Sequence, residues 1–435
     1  MDNNNVLVIG AGVAGIEASL LLANAGKKVY LIEKDLIIGG NVIKYEEVFA
    51  NMECSTCMIA PKQQEVLQNE NIELLSLSEV EKVQGESGNF TVTVNKKARY
   101  VSLTACIGCG MCYDPCPVSL KNEFEQNLSD KKAIYVPCAG SLPNVPAIDP
   151  EYCLQLSGKK TCNICVEACM FGAIDLTEKD EKVDLSVETI IVATGFDILD
   201  PNGFSQFGYG KHPNVFTAME LERLYASNGP TEGKITLRKG DKPPKSIAII
   251  QCVGREHQGY CSSVCCMYSL KIAHYLRDKL PDAKIYNFHS DLCIPGKYNQ
   301  KFYREVKEEK VDFIYAAVDK IKVEGNDKDI TIEYMNGKDK RERLSADMVV
   351  LSLAMIPGKD NASLAEILGI ELDKKGFLQA QTNQLGFVDT SQPGIFLAGC
   401  VEGPKDIQHS IAQAEAAVGK VMNGVRSSEI QDSEV

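Results

Sequence analysis

Short apolar runs separated by glycine turns organise the first forty residues of the chain. Residues 6–9 (VLVI) predict a buried strand, and the glycine turn of residues 10–15 (GAGVAG) follows it. The Ala/Leu-rich residues 16–25 predict a helix, and residues 28–32 predict a second strand that ends at Glu33. Strand, glycine turn, helix, strand and terminal acid together are typical of a dinucleotide-binding βαβ unit.

Each glycine of such a turn has its own task. The first, Gly10, permits the tight turn, the second lets backbone amides approach a pyrophosphate, and the third allows close packing of helix on strand. Glu33 can accept hydrogen bonds from the adenosine ribose. The candidate nucleotide-binding residues in this region are Gly10, Gly12, Gly15, Glu33, Lys34 and Gly40.

Two later segments favour FAD over NAD as the nucleotide. Residues 188–195 (ETIIVATG) and 390–403 (TSQPGIFLAGCVEG) each predict a strand and a small-residue turn, and the second continues into a helical run at 407–421. Either strand alone could be plain core. Together they resemble the segments that close around the flavin in the two-dinucleotide-domain flavoproteins, which usually have Asp where this chain has Cys400. The candidate residues are Ala193, Thr194, Gly195, Gly399, Cys400 and Ile407.

A segment dense in cysteine and proline interrupts this pattern between residues 98 and 180. Its first four cysteines have the bacterial ferredoxin spacing C-x2-C-x2-C-x3-C-P, and the second four have the spacing C-x8-C-x2-C-x3-C. In ferredoxins the fourth cysteine of the first run binds the other cluster. We therefore expect two [4Fe–4S] clusters, one on Cys106, Cys109, Cys112 and Cys169 and one on Cys153, Cys162, Cys165 and Cys116, in preference to zinc or disulfides.

A third group of cysteines follows the apolar run of residues 246–250 (SIAII), in the stretch QCVGREHQGYCSSVCC. A second βαβ unit would bind NAD(P)H here, but only Gly254 and Gly259 remain, without the GxGxxG spacing. The stretch has the pattern C-x8-C-x3-C-C instead, with Cys252, Cys261, Cys265 and Cys266. The spacing alone allows either a third cluster or buried cysteines that behave as small apolar residues.

Composition narrows the class of protein further. The chain has 435 residues, a net charge of −13 and 17 cysteines, with a pI near 5.1. The absence of a basic patch argues against nucleic acid as a partner. We find no signal peptide and no apolar run of the roughly 20 residues that span a bilayer, so we expect no direct membrane insertion. The cysteines then suggest metal ligands in a reducing, anoxic cytoplasm.

The chain resembles the A subunit of heterodisulfide reductases and of the quinone-interacting membrane-bound oxidoreductase. The resemblance rests on VLVIGAGVAGIEAS, CSTCMIAPK, CIGCGMCYDPCPV, NGPTEGKI, QCVGREHQGYCSSVCCMYSLK and IFLAGCVEGPKDI. It implies that Cys252, Cys261, Cys265 and Cys266 bind a [4Fe–4S] cluster beside FAD. It also places Lys271 near flavin N5, where residue pattern alone would suggest a solvated helix position.

The resemblance has further implications for assembly. The chain ends after the predicted flavin-closing helix, which favours the short, quinone-linked form of the family. The implied partners are iron–sulfur subunits resembling heterodisulfide reductase B and C, or membrane-bound quinone-linked counterparts, through which the protein could associate with a membrane. A homodimer is compatible with this arrangement.

Two enzymatic functions compete, and a third, non-enzymatic possibility is a cluster-bearing scaffold or redox sensor. The favoured one is an electron-transfer protein with FAD and iron–sulfur clusters, with flavin-based bifurcation left open, and the alternative is a stand-alone NAD(P)H-dependent disulfide or ferredoxin reductase. Cys54 and Cys57 (ECSTC) would serve the alternative as a redox disulfide, but they could also bind a cluster or stay reduced.

The expected fold is α/β, a two-dinucleotide-domain, thioredoxin-reductase-like flavoprotein with an inserted ferredoxin-like domain that carries two clusters. The FAD-binding domain is expected in three parts, at residues 1–97, 181–243 (with a linker) and 343–435. The insert occupies 98–180, and a second Rossmann-like domain with the third cysteine group occupies 244–342.

Overall fold

The computed structural model describes residues 4–239, 242–325, 330–381 and 387–431, so part of the predicted linker and both chain ends lie outside the described residues. The helices are α1 (Val13–Asn24), α2 (Ser55–Gln68), α3 (Ile164–Ala168), α4 (Ala218–Tyr225), α5 (Arg255–Gln258), α6 (Cys265–Lys279), α7 (Lys297–Glu308), α8 (Asn361–Leu368) and α9 (Ile407–Gln431). In the described ranges, no helix combines the length and apolarity needed to cross a bilayer.

The strands fall into three groups along the chain. Before the cysteine-rich segment and within it lie β1 (Asn5–Ile9), β2 (Lys28–Ile32), β3 (Glu47–Val48), β4 (Glu53–Cys54), β5 (Ile72–Leu75), β6 (Ser78–Glu86), β7 (Asn89–Lys96), β8 (Ser119–Lys121), β9 (Asp130–Lys132), β10 (Ile134–Tyr135) and β11 (Ala147–Ile148). The middle group is β12 (Glu181–Val187), β13 (Thr189–Val192), β14 (Asp197–Ile198), β15 (Val215–Thr217), β16 (Ser246–Val253), β17 (Lys284–His289) and β18 (Val311–Tyr315). The last group is β19 (Lys322–Gly325), β20 (Ile330–Met335), β21 (Arg341–Ala346), β22 (Met348–Leu353), β23 (Met355–Ile356) and β24 (Ile395–Leu397).

The first sheet is five-stranded, with the order β24-β13-β1-β2-β5. All four of its pairings are parallel. Val6 and Val8 pack toward α1 and α9, whereas Leu7 and Ile9 pack toward the antiparallel sheet β12-β7-β6. Because both faces of the sheet are covered, the strand is apolar throughout rather than alternating. The predicted β1, α1 and β2 are present, but α1 begins three residues earlier than predicted.

The second sheet is also five-stranded and parallel, with the order β15-β22-β16-β17-β18. Two of its strands come from outside the predicted 244–342 segment, since β15 precedes that segment and β22 follows it. β22 (MVVLSL) is almost wholly buried. A run of that kind fits the core of either sheet, and only the pairing of Ala248 with Val349 assigns it to the second.

The cysteine-rich segment leaves and returns between two paired strands. Lys96, the last residue of β7, pairs with Glu181, the first residue of β12. Between them lie the strand pairs β8–β9 and β10–β11 and the short helix α3, and six of the cysteines pack against a small apolar core that includes Ile134 and Ile148. The chain therefore enters and leaves this segment at neighbouring points, as a domain inserted into a hairpin would.

Candidate functional site

A cavity of about 880 Å³ lies at the carboxyl ends of the strands of the first sheet. This is the edge at which open α/β sheets bind ligands, and the volume is suited to a large cofactor. All the predicted flavin-site residues except Gly15 line it, namely Gly10, Gly12, Glu33, Lys34, Gly40, Ala193, Thr194, Gly195, Lys271, Gly399, Cys400 and Ile407. Residues that are far apart in the sequence thus share one cavity.

The glycines of the first turn are required by close backbone approaches. A Cβ on Gly15 would lie 1.8 Å from the Gly10 carbonyl oxygen, so Gly15 serves the packing of helix on strand; it is not one of the residues that line the cavity. Gly10 has φ +100°, and a Cβ there would lie 2.5 Å from the Ala193 oxygen. Gly12 and Gly40 face each other, since a Cβ on Gly40 would lie 3.0 Å from the Gly12 Cα. The cavity wall at this point is bare backbone, which suits the approach of a pyrophosphate.

Glu33 fastens the end of β2 to the glycine turn. Its Oε2 accepts a hydrogen bond from the Ala11 amide at 2.8 Å, and its Oε1 accepts one from the Asp35 amide at 2.9 Å. Burial raises the pKa of the Glu33 carboxyl to about 7, and the nearby Asp35 charge adds to the effect. Each oxygen has a second lone pair, so the carboxylate can still accept a ribose hydroxyl.

Lys271 is buried in the cavity wall, so the solvated position that its sequence pattern suggested is wrong. Its Nζ donates to the Glu47 carbonyl oxygen at 2.8 Å and lies 2.7 Å from Glu222 Oε1. Three tyrosine rings surround the ammonium, with centroids 4.9, 4.8 and 5.0 Å from Nζ: Tyr45, Tyr268 and Tyr275. Burial lowers the pKa of Lys271, and the Glu222 carboxylate opposes that shift. The site thus holds a cation in an aromatic cage.

Sequence reasoning missed Glu222. It lies on α4 in the run AMELERLY, where an acid in a short amphipathic helix suggests a solvent-facing residue. In the structure it is fully buried. No local signal marks it, because its partner Lys271 is on α6.

Cys400 lies in the turn after β24 and lines the cavity beside Gly399. Its Sγ donates to the Lys405 carbonyl oxygen at 3.2 Å, and burial raises the pKa of the thiol. The Lys405 ammonium donates to the carbonyl oxygens of Gly399 and Gly403, each at 2.9 Å. This turn therefore presents a neutral thiol and a cation where related flavoproteins usually have a carboxylate.

Four cysteines of the insert line a second, small cavity: Cys106, Cys109, Cys112 and Cys169. These are the four that the ferredoxin pattern assigns to one cluster, including the crossover residue. Burial raises the pKa of Cys112 to about 12, with the nearby Cys106, Cys165 and Cys169 adding to it. Burial and the nearby Cys153 and Cys116 raise the pKa of Cys165 to about 11.

The cysteine spacing suits a cubane better than a single metal ion. Within the described part of the chain, no three His, Cys, Asp or Glu side chains converge closely enough to hold one ion. A [4Fe–4S] cluster binds each thiolate through a different iron atom, so its four ligands stand around the cluster rather than around one point. The two [4Fe–4S] ligand sets in the insert therefore stay a prediction from the cysteine spacing.

The third cysteine group surrounds Cys265 at the start of α6. Cys252 Sγ lies 3.6 Å from Cys265 Sγ. Hydrogen bonds with Cys265 lower the pKa of Cys252, that of Cys261 to about 5 and that of Cys266 to about 7, while the pKa of Cys265 itself is raised. Four thiols from one strand end, one loop and one helix start thus form a single group.

Backbone geometry explains how the strand delivers Cys252. The predicted strand ended at Ile250, but β16 continues to Val253 through a change of register. Cys252 has φ +61° within that irregularity. Gly254 follows with φ +92°, and a Cβ there would lie 2.1 Å from Leu199 Cδ2. Gly254 therefore serves packing against Leu199 and does not open a phosphate site.

Cys54 and Cys57 form a disulfide, with their Cα atoms 5.2 Å apart. Cys54 is the N-cap of α2, and its Sγ accepts a hydrogen bond from the Cys57 amide at 3.2 Å. Of the three states that the sequence left open, the structure shows the disulfide.

Family comparisons agree with this geometry. The family model for FAD dependent oxidoreductases matches residues 5–50, and that for pyridine nucleotide-disulphide oxidoreductases matches residues 143–419. The second match spans well over half of the chain. The chain therefore belongs to the pyridine nucleotide-disulphide oxidoreductase family. The two family matches confirm the prediction of an oxidoreductase with FAD as a cofactor.

Curated relatives narrow the class. The chain is 38% identical over 424 residues to the A subunit of the H(2):CoB-CoM heterodisulfide,ferredoxin reductase of Methanothermobacter marburgensis, covering 96% of this chain and 63% of the relative. It is 39% identical over 434 residues to the second iron-sulfur A subunit of the CoB--CoM heterodisulfide reductase of Methanopyrus kandleri, covering 98% and 65%. The resemblance to the A subunit of heterodisulfide reductases is confirmed, and the chain spans less than two thirds of the length of these relatives.

Solved structures confirm the fold alone. Thioredoxin reductase of Lactococcus lactis superposes with a TM-score of 0.53 at 15% identity, covering 98% of this chain and 99% of that one. The thioredoxin reductase of T. acidophilum gives 0.51 at 13% identity, with coverages of 95% and 97%. The predicted two-dinucleotide-domain architecture is therefore correct.

Proposed function

We propose that this chain is the electron-transfer component, with FAD and iron–sulfur clusters, of a heterodisulfide-reductase-like complex. One observation carries the proposal. Cys265 belongs to the group of four thiols and also lines the cavity that contains Lys271 and the glycine turn. A cluster held by those thiols and a flavin held in the cavity would thus share a wall. Such cofactors exchange electrons with each other and with partner subunits, the flavin in pairs or singly and the clusters singly.

The protein's own residues would bind and tune these groups. Gly10, Gly12 and Gly40 would face the FAD pyrophosphate with bare backbone, and Glu33 would accept the ribose hydroxyl. Lys34, Ala193, Thr194, Gly195, Gly399, Cys400 and Ile407 would complete the lining. The Lys271 ammonium would stabilise negative charge on a reduced flavin.

Three [4Fe–4S] clusters are proposed on the twelve predicted cysteines. The two in the insert rest on the ferredoxin spacing and on the shared cavity of Cys106, Cys109, Cys112 and Cys169. The third rests on the grouping of Cys252, Cys261, Cys265 and Cys266 around the start of α6, where Cys252 Sγ lies 3.6 Å from Cys265 Sγ. The Arg255 guanidinium also lowers the pKa of Cys261 and Cys266, although more weakly than Cys265 does.

The partners are proposed as iron–sulfur subunits resembling heterodisulfide reductase B and C, in the cytoplasm or through a membrane-bound quinone-linked counterpart. Those subunits would decide whether a disulfide or a quinone is the final acceptor and whether the flavin bifurcates. The alternative of a stand-alone NAD(P)H reductase is not favoured, because Gly254 packs against Leu199 where a nicotinamide-nucleotide turn would need open backbone.

Anaerobic reduction of the purified protein tests the proposal. NADH or NADPH is expected to leave the flavin absorbance unchanged, whereas a low-potential one-electron donor is expected to bleach the flavin and produce cluster signals in electron paramagnetic resonance. Rapid bleaching by either nicotinamide nucleotide would contradict the proposal and favour the alternative function, a stand-alone NAD(P)H-dependent reductase.

A further inference from the structure

A buried ion pair joins the cysteine-rich insert to helix α4. The Nε and Nη2 atoms of Arg223 donate to the two carboxylate oxygens of Glu125 at 2.8 and 3.0 Å. Arg223 is 0% exposed and Glu125 is 4% exposed. A forked guanidinium–carboxylate contact fixes orientation as well as distance, which a lysine could not do.

The remaining donors of Arg223 extend this contact. Nη1 donates to the Lys44 carbonyl oxygen at 2.9 Å, and Nη2 donates to Asn228 Oδ1 at 3.0 Å. Asn228 in turn donates to the Ala139 carbonyl oxygen of the insert at 3.3 Å. One guanidinium group therefore connects the insert, α4 and the segment that follows β2.

The insert on either side of Glu125 forms part of the large cavity's wall. The insert residues that line the cavity are Asn122, Glu123, Phe124, Lys131, Tyr135 and Pro137. The Arg223 guanidinium lies 5.1 Å from the Phe124 ring centroid. Arg223 and Glu125 do not line the cavity themselves; they pack against the residues that do.

We propose that the insert is one wall of the FAD cavity and that the Arg223–Glu125 pair is the clamp that holds it there. The two are positioning residues for FAD binding, acting through residues 122–137. The inference rests on the proposed function in one respect, that the cavity binds FAD. If the clamp is weakened, these residues withdraw and the cofactor loses contacts on one side.

FAD affinity of clamp variants tests the inference. Glu125→Gln removes the charge, and Arg223→Lys keeps the charge but loses the fork. Both are expected to raise the Kd for FAD of the deflavinated protein by about tenfold. Lys121→Gln is the matched control, because Lys121 pairs with Asp130 at 2.9 Å within the insert but in the open. The Kd for FAD of the control is expected to stay within about twofold of that of the unaltered protein.

Iron content and hydrogen exchange separate a clamp from general damage. The variants are expected to keep their iron and sulfide, which shows that the insert is still folded. FAD is expected to slow amide exchange of residues 122–137 in the unaltered protein and to do so less in the clamp variants. The inference is overturned if both variants bind FAD as well as the control does, or if FAD leaves exchange at 122–137 unchanged. Failure of the unaltered protein to bind FAD would instead overturn the proposed function and the inference with it.

Discussion

The Lys271 ammonium, in the wall of the cavity, lies 2.7 Å from Glu222 Oε1, and both side chains are closed to solvent. Burial would drive an isolated lysine toward its neutral form, and the carboxylate opposes this. Because Lys271 and Cys265 are both on α6, the pair also fixes the helix that carries the third cysteine group. The cation in the cavity wall and the helix that carries the third cysteine group thus share one contact.

Breaking this pair from either side should destabilise the protein. Lys271→Met or Glu222→Gln alone leaves one buried charge unpaired, and each is expected to lower the free energy of unfolding by about 3 kcal/mol. The double variant is expected to lose less than the sum of the two, with a coupling of about 1 kcal/mol or more. Urea unfolding followed by circular dichroism measures all four proteins. Additive losses would show that the two side chains do not act as a pair.

The same lysine should set the flavin potential. Removing the cation in Lys271→Met is expected to lower the two-electron reduction potential of bound FAD by on the order of 30 mV, because the reduced anion loses its counter-charge. Lys271→Arg keeps the charge and is expected to retain most of the potential. Spectroelectrochemical titration gives both values, and equal potentials in all three proteins would place the ammonium away from the flavin's reactive end.

Glu33 should make FAD binding depend on pH. The pKa of its carboxyl is raised from 4.5 to about 7, so in the folded protein it takes up a proton as pH falls through about 7. The ionised form is the better acceptor for a ribose hydroxyl, so FAD affinity is expected to fall as the pH is lowered from about 8 to about 6.

Folding stability should depend on Glu33 in a related way. A raised carboxyl pKa stabilises the fold below about 4.5, and that contribution is lost as pH rises through about 7. Glu33→Gln is expected to flatten both the affinity and the stability profiles. Fluorescence titration with FAD at several pH values measures the first, and a parallel slope in the variant would exclude Glu33 as the titrating group.

Arg255 should tune the proposed third cluster. Hydrogen bonds with Cys265 lower the pKa of Cys252 and Cys261, and the Arg255 guanidinium, which Asp291 holds at 2.9 Å, adds a weaker shift in the same direction. A positive charge beside thiolates favours the reduced, more negative cluster, so Arg255→Gln is expected to lower that cluster's potential by on the order of tens of millivolts. Lys301→Gln, an exposed charge on α7, is the control. A redox titration monitored by electron paramagnetic resonance gives the cluster potential of each variant. Equal potentials in Arg255→Gln and Lys301→Gln would show that Arg255 does not act on the cluster.

The parts of the site that the sequence predicts are those whose residues lie close together along the chain. The glycine turn, Glu33 and the ferredoxin cysteines act through neighbours a few residues away, so their geometry follows from short loops. The cavity-lining residues 193–195 and 399–400 follow strands whose apolar runs are plain in the sequence. The sequence could therefore place these residues at the cavity, while their roles stay predictions.

The remaining features depend on contacts between residues far apart in the sequence, which no local sequence pattern reveals. Arg223 and Glu125 are 98 residues apart, and their buried pairing has no periodicity to reveal it. The membership of β22 in the second sheet depends on pairing with β16, which many apolar strands could satisfy. The aromatic cage of Lys271 likewise joins α6 to Tyr45, so sequence pattern alone suggested a solvated lysine.

The iron and acid-labile sulfide bound per FAD in anaerobically purified protein test the central claim most directly. Three clusters predict about twelve irons per flavin, and Cys265→Ala should lower this to about eight without loss of the insert clusters. About eight irons in the unaltered protein, with Cys252, Cys261, Cys265 and Cys266 all open to alkylation after unfolding under non-reducing conditions, would contradict a cluster beside the flavin.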